Sequence, residues 1–290
     1  MQWRLLRLTV WLWRFNTLRL AKFMLKRTVN PYILHRRFAD AQLNLNVSRG
    51  GAQGLLYLEG ERFVVERFLL AALVKQGMRI VDVGANIGYY TLLFKRLAGP
   101  SAAIIAIEPS PENLPELRLN IEGNELQNVK LLEVAVGARA GTAWLLEGIN
   151  SGVVAPNKGS YEVPVRSLDE LLTDRVDLLK IDVEGYEGFV LEGARNVIQR
   201  DRPVIFLEFH PTAVAQFGHS FESLHTILAQ AYNSISYYDV AQPSAILRKI
   251  ARNYLGMDPC RRLPGPPAAP MHSGRENGTF WIVCQPQPDR

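Results

Sequence analysis

From residue 61 onward, short apolar runs alternate with segments of helical period. "ERFVVERFLLAALVK" (61–75) repeats its apolar positions at helical spacing, and Gly77 closes it. Arg79–Val83 reads as a short apolar strand, Gly84–Gly88 as a glycine-bearing turn, and Ile87–Leu97 as a helix ending at Gly99. Ala103–Ile107 is a second strand, 112–122 a helix, and Val129–Val136 a third strand. Two polar, strand-like segments, 142–147 and 161–166, flank a Gly/Asn/Ser loop at 148–160. Ser167 is placed to cap a short helix over 167–172. Then come a strand at Val176–Ile181, a helix at 187–199, a strand at 203–209, a helix at 221–231 and a strand at 234–240. A proline-rich loop over 258–270 precedes the last strand, 279–285, which has no clear helix before it and is free to insert antiparallel. This alternation predicts an α/β fold, a doubly wound and mostly parallel sheet of seven strands.

Charge changes the picture at the N-terminus. Of the 33 Lys and Arg residues, nine lie within residues 1–37, which hold no Asp or Glu. The remaining 24 face 28 acidic residues, so the rest of the chain is net acidic and does not suit a nucleic-acid partner. Within residues 1–27, Arg4, Arg7, Arg14 and Arg19 fall opposite Leu5, Val10, Leu12 and Trp13 at helical spacing. Two readings fit a basic amphipathic helix: one lying in an anionic membrane surface, or one packing on protein. Its apolar stretch is too short to span a bilayer, and no small-residue cleavage site follows it. The expected organisation is an N-terminal extension over 1–60 and one domain over 61–290. The expected location is cytoplasmic, with the membrane surface as an added option. Cys260 and Cys284 show neither metal-ligand nor disulfide-framework spacing.

The candidate chemistry begins at "VDVGANIGYYT". Gly84 and Gly88 allow a ligand to approach the backbone between strand and helix. Glu108 ends the next strand, where a carboxylate can accept ribose hydroxyls. The spacing lacks the G-x-G-x-x-G triad a nicotinamide dinucleotide prefers. S-adenosylmethionine has no pyrophosphate to hold, and Asp82 suits its ammonium group.

These stretches, with "IIAIEPSPENLPELRLNIEGN", "VKLLEVAVGARAG", "VRSLDELL", "VDLLKIDVEGYEGFVLEGA" and "PVIFLEF", resemble the FkbM family of class I S-adenosylmethionine-dependent methyltransferases. The resemblance covers about 79–210 and implies a Rossmann-like domain that transfers methyl groups, usually to a hydroxyl oxygen. It implies that Asp82, Gly84, Asn86, Gly88 and Glu108 hold the cofactor and that Ala135 and Val136 line the adenine.

The acidic cluster after the fourth strand then supplies the catalytic candidates. A hydroxyl nucleophile benefits from a base. Asp182 could be that base, or could bind cofactor or substrate. Glu184 follows in the loop, and His210 is an alternative base at the end of the fifth strand. Glu187 is placed to stabilise the next helix through its dipole, and Lys180 to pair with an acid. Asp182, Glu208 and His210 could converge on a divalent ion such as magnesium, although the sequence requires none. The acceptor expected is a sugar, glycan or other specialised metabolite. The rival expectations are a catalytically inactive cofactor-binding interaction module and a nicotinamide-dependent oxidoreductase.

Overall fold

The structure is a computed structural model that describes residues 33–38, 41–46, 64–146, 153–154, 159–239, 261–265 and 279–286. The basic helix expected over residues 1–27 and most of the 148–160 loop lie outside the described residues. Chain contacts divide the protein into two compact units, Met1–Arg62 and Phe63–Arg290. In the first, β1 (Ile33–Phe38) and β2 (Ala41–Asn46) pair as an antiparallel hairpin.

The second unit opens with α1 (Val64–Leu73), β3 (Arg79–Val83), α2 (Tyr89–Ala98), β4 (Ala103–Ile107), α3 (Leu114–Glu122) and β5 (Val129–Leu132). Next come β6 (Ala135–Val136), β7 (Gly141–Leu145), β8 (Val153–Val154) and β9 (Tyr161–Arg166). The chain continues through α4 (Leu168–Leu171), β10 (Leu178–Ile181), α5 (Glu187–Glu192), α6 (Arg195–Asp201) and β11 (Val204–Phe209). It ends with α7 (Pro211–Gln216), α8 (Phe221–Ala229), β12 (Ser234–Asp239), β13 (Arg261–Arg262) and β14 (Phe280–Gln285).

The main sheet runs β13-β12-β14-β11-β10-β3-β4-β5. The five strands from β11 to β5 are parallel, and β14 inserts antiparallel between β11 and β12. The seven expected strands are present, with two-residue β13 added at one edge. The parallel strands are short apolar runs because both of their faces are covered. Leu178, Leu179, Ile181 and Ile205 to Leu207 are fully buried. Trp281 of β14 stacks on Phe206 of β11 at 4.0 Å between ring centroids.

Two expected elements divide. The third strand ends at Leu132, and Ala135–Val136 crosses into a separate four-stranded sheet, ordered β6-β9-β7-β8. The single helix expected over 187–199 breaks at Gly193, where a side chain would meet the Gly137 carbonyl oxygen at 2.0 Å. Asp169 restarts it as α6 by accepting the backbone N–H groups of Asn196 and Val197. Ser167 caps α4 as expected, with a reciprocal bond from its own N–H to Glu170.

The connectivity sets the position of the site. From β3 the chain adds β4 and β5 outward on one side, and returns to place β10 and β11 on the other. The order therefore reverses between β3 and β10, and ligands of open α/β sheets bind beyond the strand ends at such a point. Among the described residues, no helix is long and apolar enough to cross a membrane.

Candidate active site

A cleft opens at that reversal, with about 630 Å³ of non-atom space including open solvent. The turn after β3 forms its floor. Gly84 takes φ +73, and a Cβ there would sit 1.9 Å from the Asp182 backbone oxygen, so only glycine lets the β3 and β10 loops meet. Asn86 follows in the left-handed region at φ 52 and donates its N–H to Glu108 Oε2 at 2.8 Å.

Glu108 directly follows β4 and is buried, yet it lines the cleft. Its Oε1 accepts the Ser110 N–H at 3.0 Å and the Asn113 side-chain amide at 3.1 Å. Burial raises its pKa, and these hydrogen bonds oppose the rise. With three protein donors, the carboxylate is fixed and has about one of its roughly four acceptor positions left for a ligand. Val134, Ala135, Val136 and Leu145 form an apolar wall. Asp182, Glu184 and Tyr186 also line the cleft.

Gly84, Asn86, Glu108, Ala135, Asp182 and Glu184 thus come together on one cleft. Asp82 and Gly88 do not line it. Asp82 is fully buried in β3; its Oδ2 accepts the Thr91 hydroxyl at 2.7 Å, and its Oδ1 meets Lys180 Nζ at 3.1 Å as an ion pair. The strand pairing places Lys180 directly beside it. Asp82 is thus held by Thr91 and Lys180 inside the protein and does not face the cleft directly. Gly88 precedes α2 at φ 88, and a side chain there would press on Leu117 of α3 at 2.8 Å.

Lys180 is fully buried and central. Besides Asp82, its Nζ donates to the Gly84 carbonyl at 2.8 Å and lies 3.7 Å from Asp182 Oδ2. The Tyr90 ring covers it at 4.9 Å. Burial opposes its charge, but Asp82 and Asp182 outweigh that and raise its pKa. Lys180 stays cationic.

His210 lies between β11 and α7 and does not line the cleft, but its ring reaches the acidic cluster. Its Nδ1 is 2.7 Å from Glu187 Oε1, and its Nε2 is 3.5 Å from Glu184 Oε2 and 3.9 Å from Glu208 Oε1. Burial pulls its pKa down, but Glu187, Asp182 and Glu208 reverse this and raise it to about 10. With its Nδ1 held by Glu187 and its ring outside the cleft lining, His210 is less well placed for a general base than Asp182 or Glu184. Glu184 sits at φ 53, a strained position for a non-glycine residue. Burial, and then the Asp182 charge, raise its pKa.

Sequence reasoning placed Glu187 at a helix N-terminus, and it is the first residue of α5. The bond to His210 was missed, because the two residues are 23 apart and meet only through the β10–β11 pairing. Asn113 was also missed. Its signal was its place five residues after Glu108, just ahead of a helix.

Residues 82–235 match the methyltransferase FkbM domain. The chain is 35% identical over 155 residues to methyltransferase sdnD of Sordaria araneosa, covering 39% of this chain and 59% of that protein. It therefore spans about three fifths of the length of that relative. It is 26% identical over 173 residues to 2-O-methyltransferase NoeI of Sinorhizobium fredii, covering 50% of this chain and 68% of that protein. A solved FkbM methyltransferase from Methylobacillus flagellatus aligns over 63% of this chain and 49% of its own, with TM-score 0.40 and 19% identity.

Proposed function

Because the chain belongs to the FkbM methyltransferase family, we propose that it transfers the methyl group of S-adenosylmethionine to a hydroxyl oxygen of a sugar, glycan or other specialised metabolite. The observation that carries the cofactor reading is the charge of the cleft. Glu108, Asp182 and Glu184 line it, and no Lys or Arg does among the described residues. A pyrophosphate would meet carboxylates and no cation, whereas a ligand with an ammonium and a sulfonium is attracted. The turn also lacks the glycine triad of dinucleotide sites. Glu108 is suited to a ribose hydroxyl, and Val134 to Val136 with Leu145 to a flat base. S-adenosylmethionine supplies an electrophilic methyl on sulfur, which leaves as the C–S bond breaks and the acceptor oxygen–carbon bond forms.

The chain's own contribution is alignment and proton handling. Asp182 and Glu184 face the cleft from the β10 loop and are the carboxylates within reach of an acceptor hydroxyl. One of them accepts its proton. Lys180 holds the Gly84 carbonyl on one side and Asp182 on the other, which keeps the cofactor turn and the acceptor side in register. The relative named a 2-O-methyltransferase supports oxygen as the acceptor atom.

The test is release of S-adenosylhomocysteine from the full chain against a panel of sugars, glycans and hydroxylated metabolites. We expect turnover with at least one hydroxyl acceptor and at least a hundredfold lower turnover in Asp182→Asn. Methylation confined to nitrogen or carbon acceptors would overturn the oxygen reading.

A further inference from the structure

We propose that Asp182, Glu208 and His210 form a binding site for one hard divalent cation of the manganese or magnesium class. Each offers one ligand atom, and the three atoms lie within 4.8 Å of one another. Ligands about 2.1 to 2.4 Å from an octahedral ion stand about 3 to 4.8 Å apart, so the ion needs little movement of these side chains. Two carboxylates and an imidazole suit manganese or magnesium, and the open positions would remain for water or a ligand oxygen.

Two further observations favour a cation here. The first is how His210 is held. Glu187 is fully buried; its Oε1 accepts the Gly185 N–H at 3.1 Å and engages His210 Nδ1, while its Oε2 has no hydrogen-bond partner in the structure. That bond fixes the ring and turns Nε2 toward Glu184 and Glu208. A buried carboxylate on the far nitrogen of a histidine is the outer support that metal-ligating imidazoles usually have. The second is the local balance of charge. Asp82, Asp182, Glu184, Glu187 and Glu208 surround two cationic groups, Lys180 and His210, and Lys180 already meets Asp82 on its other side. Glu208 is mostly buried and receives no hydrogen bond among the described residues. A divalent ion would answer this crowding of carboxylates.

The site adjoins the cleft through Asp182. Resting on the methyl-transfer reading, it would hold an acceptor hydroxyl beside Glu184; the binding of the ion itself does not depend on that reading.

The experiment strips the full chain with EDTA and titrates it with Mn²⁺, reading free Mn²⁺ by electron paramagnetic resonance, with and without S-adenosylhomocysteine. One Mn²⁺ per chain is expected, displaced by Mg²⁺. Glu208→Gln and His210→Ala should each weaken it at least tenfold, while Glu162→Gln, remote on β9, leaves it unchanged. Circular dichroism and the melting temperature confirm that each variant is folded, and near-isosteric Glu208→Gln decides the matter if His210→Ala unfolds. No stoichiometric Mn²⁺ in either titration of folded wild type overturns the site, as does binding indifferent to Glu208→Gln. Cofactor binding is read separately, so either reading can fail while the other stands.

Discussion

At the N-terminal ends of the central strands, Arg79 pairs with Asp174 at 3.0 Å and Arg175 with Asp177 at 3.2 Å, each pair partly in solvent. At the opposite ends, Lys180 and Asp82 pair at 3.1 Å with no exposure at all. The distances hardly differ, but the energetics do. An exposed pair gains little against water and side-chain entropy. A buried pair must offset several kcal/mol of desolvation for each ion, and apolar residues could fill the same space at no such cost. The buried pair is therefore explained by geometry more than by stability. Lys180 joins β10 to β3 and grips the carbonyl of Gly84, so the charge fixes the turn on which the cleft is built.

Substitutions at the two rims should separate these roles. The largest effect is expected from Lys180→Met, which leaves Asp82 charged and buried. It should cost about 3–5 kcal/mol in urea unfolding. A loss below about 1 kcal/mol would mean that Asp82 finds water or a proton easily, and that the two rims are alike. Gly84→Ala comes next. Its Cβ has no room against Asp182 and its φ is positive, so a loss of about 1–3 kcal/mol is expected, together with weaker cofactor binding. Arg79→Ala should change stability by less than about 1 kcal/mol and leave ligand binding unaltered. A larger loss there would show that the exposed rim also carries structure.

The same contrast explains what the sequence disclosed. Features local in the chain were readable: the glycine turn, Glu108 one strand later, and the Ser167 cap with Glu170 three residues on. The parallel strands were readable because burial on both faces makes them continuous apolar runs. The acidic cluster was readable as a set of residues, but not as an arrangement. Glu187 meets His210, and Lys180 meets Asp82, only because β10 lies between β3 and β11. Strand order leaves no periodic mark on the sequence. Asp82 illustrates the cost of this: a carboxylate near the end of a strand suggests a ligand site, yet Asp82 is fully buried between partners 9 and 98 residues away. The six-residue helix α7 was overlooked although Pro211 at its first position is a start signal. Its shortness gives no period to detect.

The central claim is that the acidic cleft at the β3–β10 reversal holds S-adenosylmethionine. Calorimetric titration of the full chain with S-adenosylmethionine and, separately, with NAD tests it most directly, with Glu108→Gln as the partner variant. Binding of S-adenosylmethionine alone is predicted, at least tenfold weaker in Glu108→Gln, a loss of about 1.4 kcal/mol or more. Tighter binding of NAD, or S-adenosylmethionine binding indifferent to Glu108→Gln, would contradict the account.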